Sequence, residues 1–190
     1  MRIQYRRMTQ DIGTTESDAD ELIPAAVIVP IITERDGRRL LFTRRAPDLD
    51  THPGQMSFPG GRKESVDATL RDTALRETEE EIGVGRSEVD IDGRLEPIQT
   101  VTGFHVEPFI GQIPAGPFTP QQAEVAEVVT FPVDAFLVPS VYEQERREHP
   151  VHGTVIVHYF HLDEYTVWGA TARILVQYLE LTADWTPPSS

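Results

Sequence analysis

Gly60-Gly61-Arg62-Lys63-Glu64-Ser65-Val66-Asp67, leading through a helical segment to Arg76-Glu77-Thr78-Glu79-Glu80-Glu81-Ile82-Gly83-Val84, is the stretch on which the reading of this chain turns. Glu77, Glu79, Glu80 and Glu81 crowd into less than two helical turns beside a helix C-terminus. Like charges three and four residues apart repel by a few tenths of a kcal/mol per pair, and the helix dipole disfavours anions there by roughly 0.3–1 kcal/mol each. Local rules broken this densely mark a site. At about 100° of rotation per residue, Glu77, Glu80 and Glu81 fall within an arc of roughly 100°, so three carboxylates are expected to converge on one point. Leu70, Ala74, Thr78 and Ile82 form an i+4 row that anchors the helix to a core. Oxygen-only ligation suits a hard cation, Mg²⁺ or Mn²⁺, and matches zinc or copper poorly. Gly83 supplies the stop, as the residue type best able to take the left-handed conformation at a helix end. The bland alternative is a solvated, charged helix face; the Gly-Gly turn upstream and the Arg76-Glu77 pair weigh against it.

The segment closely resembles the box of the Nudix hydrolases: a glycine, then an acidic residue, Arg-Glu, an apolar residue, Glu-Glu, and Gly followed by an apolar residue. The resemblance implies that Glu77, Glu80 and Glu81 are metal ligands, that the carbonyl of Gly60 or Gly61 completes the shell, and that Arg76 ties the loop to the upstream acid, Asp67. Asp67 lies one residue further from Arg76 than in the general pattern, and Thr78 replaces the usual apolar residue. The same insertion occurs in the coenzyme A pyrophosphatase branch. Leu41-Phe42-Thr43-Arg44-Arg45 with Leu49, His52, Gly54-Gln55 and Ser57-Phe58-Pro59-Gly60-Gly61 resembles that branch's second signature. So do Val101-Thr102-Gly103-Phe104, Pro108-Phe109, Glu124-Val125-Ala126-Glu127-Val128 and Val167-Trp168-Gly169-Ala170-Thr171-Ala172-Arg173. The branch carries Ser where this chain has Ala46 and Arg where it has Asp50. The implied fold is an α/β/α sandwich with a mixed sheet.

Composition bounds the rest. At 190 residues the chain has the length of one domain with one core. The apolar run from Ala25 to Ile32 is broken by Pro30 and is far short of the ~20 residues of a membrane span. Arg2, Arg6 and Arg7 are not followed by an apolar stretch, so no secretory signal is read. Cysteine is absent, which excludes disulfides and thiolate metal sites, and the cytoplasm is the default location. A net charge of −14 argues against a nucleic-acid partner. A polyphosphate substrate must then be met by bound metal and local cations, with Arg44, Arg45 and Arg62 the candidates. Lys63 is the single lysine against 17 basic residues in all. That suits a halophile, where the Debye length shrinks to about 3 Å at 1 M salt; a high-GC codon bias would produce the same exchange of Lys for Arg.

Along the chain, residues 1–21 read as a polar, acidic N-terminal tail, 22–182 as the domain, and 183–190 as a C-terminal tail. Strands are predicted at 25–32, 39–43, 89–95, 104–111, 127–131 and 154–162, and helices at 69–82 and 169–181, with a short turn at 133–137. Asp36-Gly37 signals a hairpin between the first two strands. Glu124 and Glu127 follow the loop 114–123, where Nudix enzymes often place a further metal ligand or general base; a solvent-facing side chain at a strand start is the alternative. His52 is a candidate phosphate contact or a turn hydrogen bond beside Pro53-Gly54. Phe104, Tyr159 and Trp168 are either core aromatics or stacking partners for an adenine. The expected activity is metal-assisted hydrolysis of a small nucleotide's pyrophosphate, on coenzyme A giving 3′,5′-ADP and 4′-phosphopantetheine. ADP-ribose, dinucleoside polyphosphates and nucleoside triphosphates are alternative substrates, a non-catalytic nucleotide-binding domain is an alternative role, and a homodimer is open.

Overall fold

The computed structural model describes residues 22–48, 53–150 and 153–188. The apolar run becomes the middle of β1 (Ile23–Glu34), and its continuity has a physical reason: both faces of the strand are covered. Val27, Val29 and Ile31 face one core, while Ala26, Ile28 and Ile32 face the other. β1 pairs antiparallel with β2 (Gly37–Arg45) and β4 (Gly60–Arg62), and parallel with β7 (Phe104–Gln112). Pro30 is tolerated in this central strand because of where its missing N–H would point. The Ile28 N–H, on the same edge by alternation, donates to Pro59 O at 2.9 Å, and pairing with β2 begins one residue later, at Ile31.

β3 (Met56–Ser57) and β8 (Val125–Pro132) pair with β2, and β5 (Asp90–Arg94) and β6 (Ile98–Gln99) pair with β7, which completes a mixed sheet. A separate antiparallel sheet runs β11 (Tyr165–Trp168), β10 (Gly153–Leu162), β9 (Tyr142–His149). Helix α1 (Leu70–Ile82) covers one face of the large sheet through Ala74, Leu75 and Ile82. Helix α2 (Gly169–Ala183) and the second sheet cover the other, around Phe42, Phe136, Phe160, Leu175 and Tyr178. The rings of Phe42 and Phe58 stack at 4.7 Å there, the kind of contact that adds about 0.5–1.5 kcal/mol beyond burial. The layering is the α/β sandwich with a mixed sheet that the sequence predicts. No helix among the described residues is long and apolar enough to cross a membrane.

Several elements depart from expectation. Nothing in Tyr142–His149 alternates in hydropathy and no strand is predicted there, yet the stretch forms β9, with a largely exposed, charged surface. β11 is likewise unpredicted. The hairpin loop is Arg35-Asp36, since Glu34 pairs with Gly37. The boundary drawn at 182 falls inside α2, and Trp185 packs edge-on against Tyr142, with ring centres 5.2 Å apart. The N-terminal tail and the tip of the C-terminal one lie outside the described residues.

Candidate active site

Thr69 caps α1: its hydroxyl accepts the Asp72 N–H at 3.2 Å, and the Asp72 carboxylate accepts the Thr69 N–H at 2.9 Å. Gly83 ends the helix at φ 74°, its N–H donating to Glu79 O at 3.0 Å. The loop before β8 then satisfies two further carbonyls. Thr119 N–H donates to Ile82 O at 2.9 Å and Gln121 N–H to Glu81 O at 3.0 Å. The same loop carries Glu124, whose carbonyl accepts the Ala46 N–H at 2.8 Å. Capping the helix and delivering Glu124 beside it are therefore one structural act.

Arg76 is buried and organises the box. Its Nε and Nη2 each donate to the Asp67 carboxylate at 3.0 Å, a bidentate pair, and Nη2 also reaches the Arg62 carbonyl at 3.1 Å. Asp67 further accepts the Glu64 N–H at 2.9 Å and the Thr73 hydroxyl at 3.0 Å. The extra residue between Asp67 and Arg76 is accommodated without losing this pair. Hydrogen bonds from Arg76 hold the Asp67 carboxyl far below the usual carboxylate range, and Asp67 in turn holds Arg76 charged. Thr78 satisfies its buried hydroxyl on the Ala74 carbonyl at 2.8 Å, which explains how a polar residue sits in the apolar row.

The three box carboxylates do not meet at one point. Arg76 Nη1 sits 2.9 Å from both Glu77 Oε1 and Glu80 Oε2, and the Glu80 side chain is half exposed. Glu81 points inward and is buried, its Oε2 accepting the Gly60 N–H at 3.3 Å. Among the described residues, no three acidic or histidine side chains already stand as a metal cage. Glu77 and the exposed Glu124 both act on the buried Glu81, and Glu80 and Glu124 act on Glu77. Burial, reinforced by Glu77 and Glu124, pushes the Glu81 carboxyl up to about 8 against the Gly60 N–H and Arg45, which act the other way. Burial also raises Glu77, less the effect of Arg76.

Two glycines make this closeness possible. A Cβ on Gly61 would collide with the Glu77 carboxylate, and one on Gly60 with the Ala26 carbonyl and Val27. Of the arginines, Arg45 lies on the α1 side, close enough for its charge to act on Glu81. Arg44, one residue earlier, faces the other way and lies 3.6 Å from Glu127. Glu127 also accepts the Tyr165 hydroxyl at 3.0 Å, so it belongs to the opposite face from the box, whereas Glu124 belongs to the box. The Arg62 side chain is exposed. Ala46 is a buried core position here, and His52 and Asp50 lie outside the described residues.

The site is thus a helix ending in carboxylates, laced to a Gly-Gly strand by an Arg–Asp pair, on the face of a mixed sheet. A NUDIX domain model matches residues 22–152. The chain is 40% identical over 155 residues to a Nudix hydrolase of Yersinia pestis, NudL, described as uncharacterized, covering 80% of this chain and 75% of that one. The crystal structure of a MutT/nudix family protein from Enterococcus faecalis superposes with a TM-score of 0.62 at 16% identity, over 90% of this chain and 66% of that one. The NUDIX domain of Shewanella oneidensis NrtR, in complex with ADP ribose, gives 0.51 at 17% identity over 61% and 76%. The chain belongs to the Nudix hydrolase family and is a pyrophosphohydrolase by class.

The raised Glu81 carboxyl has a consequence for stability. Its folded value, about 8, lies above the unfolded 4.5, so between these the native state binds more protons than the unfolded state and stability falls as pH rises. In chelator, the unfolding free energy is expected to fall steadily between pH 5 and pH 8. Urea titrations across that range check it, with Glu81→Gln as the control that should flatten the slope.

Proposed function

We propose that this enzyme hydrolyses the pyrophosphate of coenzyme A or its derivatives to 3′,5′-ADP and 4′-phosphopantetheine, using a divalent cation. The observation that carries the metal dependence is the buried Glu81 beside the largely buried Glu77, with the exposed Glu124 acting on both: carboxylates desolvated together, with a third close by, are costly unless a cation joins them. Oxygen-only donors fit Mg²⁺ or Mn²⁺. Glu77, Glu80 and Glu81, with the Gly60 carbonyl, are the residues that would hold it, Glu80 by turning from Arg76. A cation bound there lowers the pKa of its water and withdraws charge from the pyrophosphate.

The chain's own groups do the rest. Glu124, exposed at the mouth and fixed through its backbone to Ala46, takes the proton of the attacking water as a new P–O bond forms. The bridging P–O bond breaks on the opposite side of that phosphorus, and the leaving phosphate departs with its charge. Arg45 faces the same cluster and offsets charge on the phosphoryl oxygens. Asp67 and Arg76 touch no substrate; they hold the strand carrying Gly60 and Gly61 against α1.

The coenzyme A assignment rests on the second signature and on the one-residue insertion in the box. Asp50, where that branch has Arg, favours a second reading, in which ADP-ribose is the substrate: both compounds share the pyrophosphate, but coenzyme A alone carries a 3′-phosphate. The test is a screen of coenzyme A, ADP-ribose, diadenosine polyphosphates and nucleoside triphosphates with Mg²⁺, Mn²⁺ or chelator, with products identified by mass. Asp50→Arg is expected to raise kcat/KM for coenzyme A over that for ADP-ribose by roughly 10- to 150-fold, the range of one charge-assisted hydrogen bond. An unchanged ratio removes Asp50 from substrate reading.

A further inference from the structure

Behind Arg45, on the other face of β2, an open cleft of about 320 Å³ is lined by Arg44, Gln55, Met56, Glu164, Tyr165 and Trp168. Resting on the reading that the substrate is a nucleotide-linked pyrophosphate, we propose that this cleft is the base subsite: the adenine stacks on Trp168, and the Gln55 amide reads its edge.

The indole is the end member of a braced aromatic row. Trp168 and Tyr159 lie within 12° of parallel at 6.4 Å, and Tyr159 and His161 within 6° at 6.1 Å. The far end of the row is pinned. His161 meets Thr166 Oγ1 at 3.1 Å and Glu143 at 3.3 Å, the Tyr159 hydroxyl donates to Glu145 at 3.2 Å, and the Arg147 guanidinium lies 5.9 Å from the Tyr159 ring centre. A ring held this way is ordered before a ligand arrives, which lowers the entropy cost of stacking on it. These aromatics are not core: they stand on the outer face of the second sheet, opposite Phe160 and Leu162.

Charge decides which part of the substrate enters. Arg44 is matched by Glu127, and Glu164 adds a further carboxylate on the rim, so the cleft repels a phosphate and admits a neutral group. Gln55 carries a donor and an acceptor at one tip, the pairing that a purine edge presents. Its Nε2 lies beside the start of α2, 3.9 Å from where a Cβ of Gly169 would stand, and Gln55 and Trp168 line the same cleft. Its backbone is tied to Arg45, whose N–H donates to Gln55 O at 3.0 Å. Phosphates held on the Arg45 and Glu81 side therefore leave the adjoining nucleoside to turn over the end of β2 into the cleft.

The two tryptophans allow a direct test. Trp185 packs on Tyr142 and Phe160, away from the cleft, so Trp185→Phe leaves Trp168 as the reporter. In that protein, titrated in chelator, adenosine is expected to quench the emission saturably, and 4′-phosphopantetheine is not. Trp168→Leu should raise KM for coenzyme A about tenfold, within the range that base stacking on one aromatic contributes, with a smaller effect on kcat; Trp168→Phe should recover most of it, and Gln55→Ala should raise KM severalfold. Quenching by 4′-phosphopantetheine instead of adenosine would overturn the proposal, as would an unmoved KM in both folded variants, Trp168→Leu and Gln55→Ala. Adenosine quenching in a protein that cleaves no pyrophosphate would keep the subsite and sink the proposed function; coenzyme A cleavage without quenching would do the reverse.

Discussion

Glu81→Gln is expected to lower kcat at least a hundredfold while making the protein more stable at pH 8 in chelator. The two effects have one origin. Glu81 is buried beside Glu77 and Glu124, and its carboxyl is pushed up to about 8, so at neutral pH the fold keeps a group whose charged form it disfavours. Glutamine preserves the shape and can still accept the Gly60 N–H, but it carries no charge to bind a cation or to meet the charge of the transition state. A loss of a few kcal/mol of transition-state stabilisation corresponds to about a hundredfold in rate. Relief of the buried charge should raise the melting temperature by several degrees, since about 1 kcal/mol shifts a domain of this size by roughly 2–4 °C. Glu79→Gln is the matched control: Glu79 stands on the same helix but pairs with Arg86 at 2.9 Å on the surface, and its loss should change kcat less than twofold. Near-native turnover in Glu81→Gln, or full activity of the parent enzyme in chelator, would sink the metal-dependent reading.

The parts of this site that were legible in the sequence are those set by short-range geometry. Helical spacing places Glu77, Glu80 and Glu81 on one arc of α1, and Gly83 stops that helix in the left-handed conformation that its position requires. The Arg76–Asp67 tie follows from the box resemblance, and the structure makes it a bidentate pair. Spacing could not show that Arg76 would draw Glu77 and Glu80 to its own guanidinium, or that Glu124 would join Glu77 in acting on Glu81. That depends on a loop more than thirty residues downstream folding back to cap α1, a long-range event with no local signal. The split between Arg44 and Arg45 was available in principle. Strand alternation puts neighbours on opposite faces, but the direction of each face emerges only when Phe42 and Leu41 are assigned to their separate cores. β9 was hidden because an edge strand in a small sheet is exposed on much of its surface and carries charge, so Tyr-Glu-Gln-Glu-Arg-Arg-Glu-His lacks the alternation by which strands are recognised.

Asp67→Ala is expected to cost about 3–5 kcal/mol of stability at pH 7. Asp67 and Arg76 are both buried, and Asp67 accepts bonds from Arg76 Nε and Nη2, the Glu64 N–H and the Thr73 hydroxyl. Removing it leaves a buried guanidinium short of a partner and the Glu64 N–H without its acceptor, while the Thr73 hydroxyl keeps only its longer bond to the Thr69 carbonyl at 3.3 Å, so desolvation goes uncompensated in more than one place. Glu77 and Glu80 still neutralise part of the Arg76 charge, which keeps the cost within this range. The sign with pH is fixed by the direction of the Asp67 shift. Its folded value lies below the unfolded 3.8, so its contribution is fully present above that value and is lost as pH falls further. The cost should therefore be flat from pH 5 to pH 8, the interval over which Glu81 makes the parent's stability fall, and the two carboxylates can be separated by pH alone. Urea denaturation at pH 5.5 and pH 8 measures both; a cost below about 1 kcal/mol, or one that varies across that interval, would show that Asp67 does not anchor the loop. Arg76→Lys gives the complementary result, since an ammonium cannot bond Asp67 bidentately and still reach Glu77, Glu80 and the Arg62 carbonyl. It should destabilise less than Asp67→Ala but lower kcat comparably to a ligand variant, because the strand bearing Gly60 and Gly61 would no longer be held against Glu77 and Glu81.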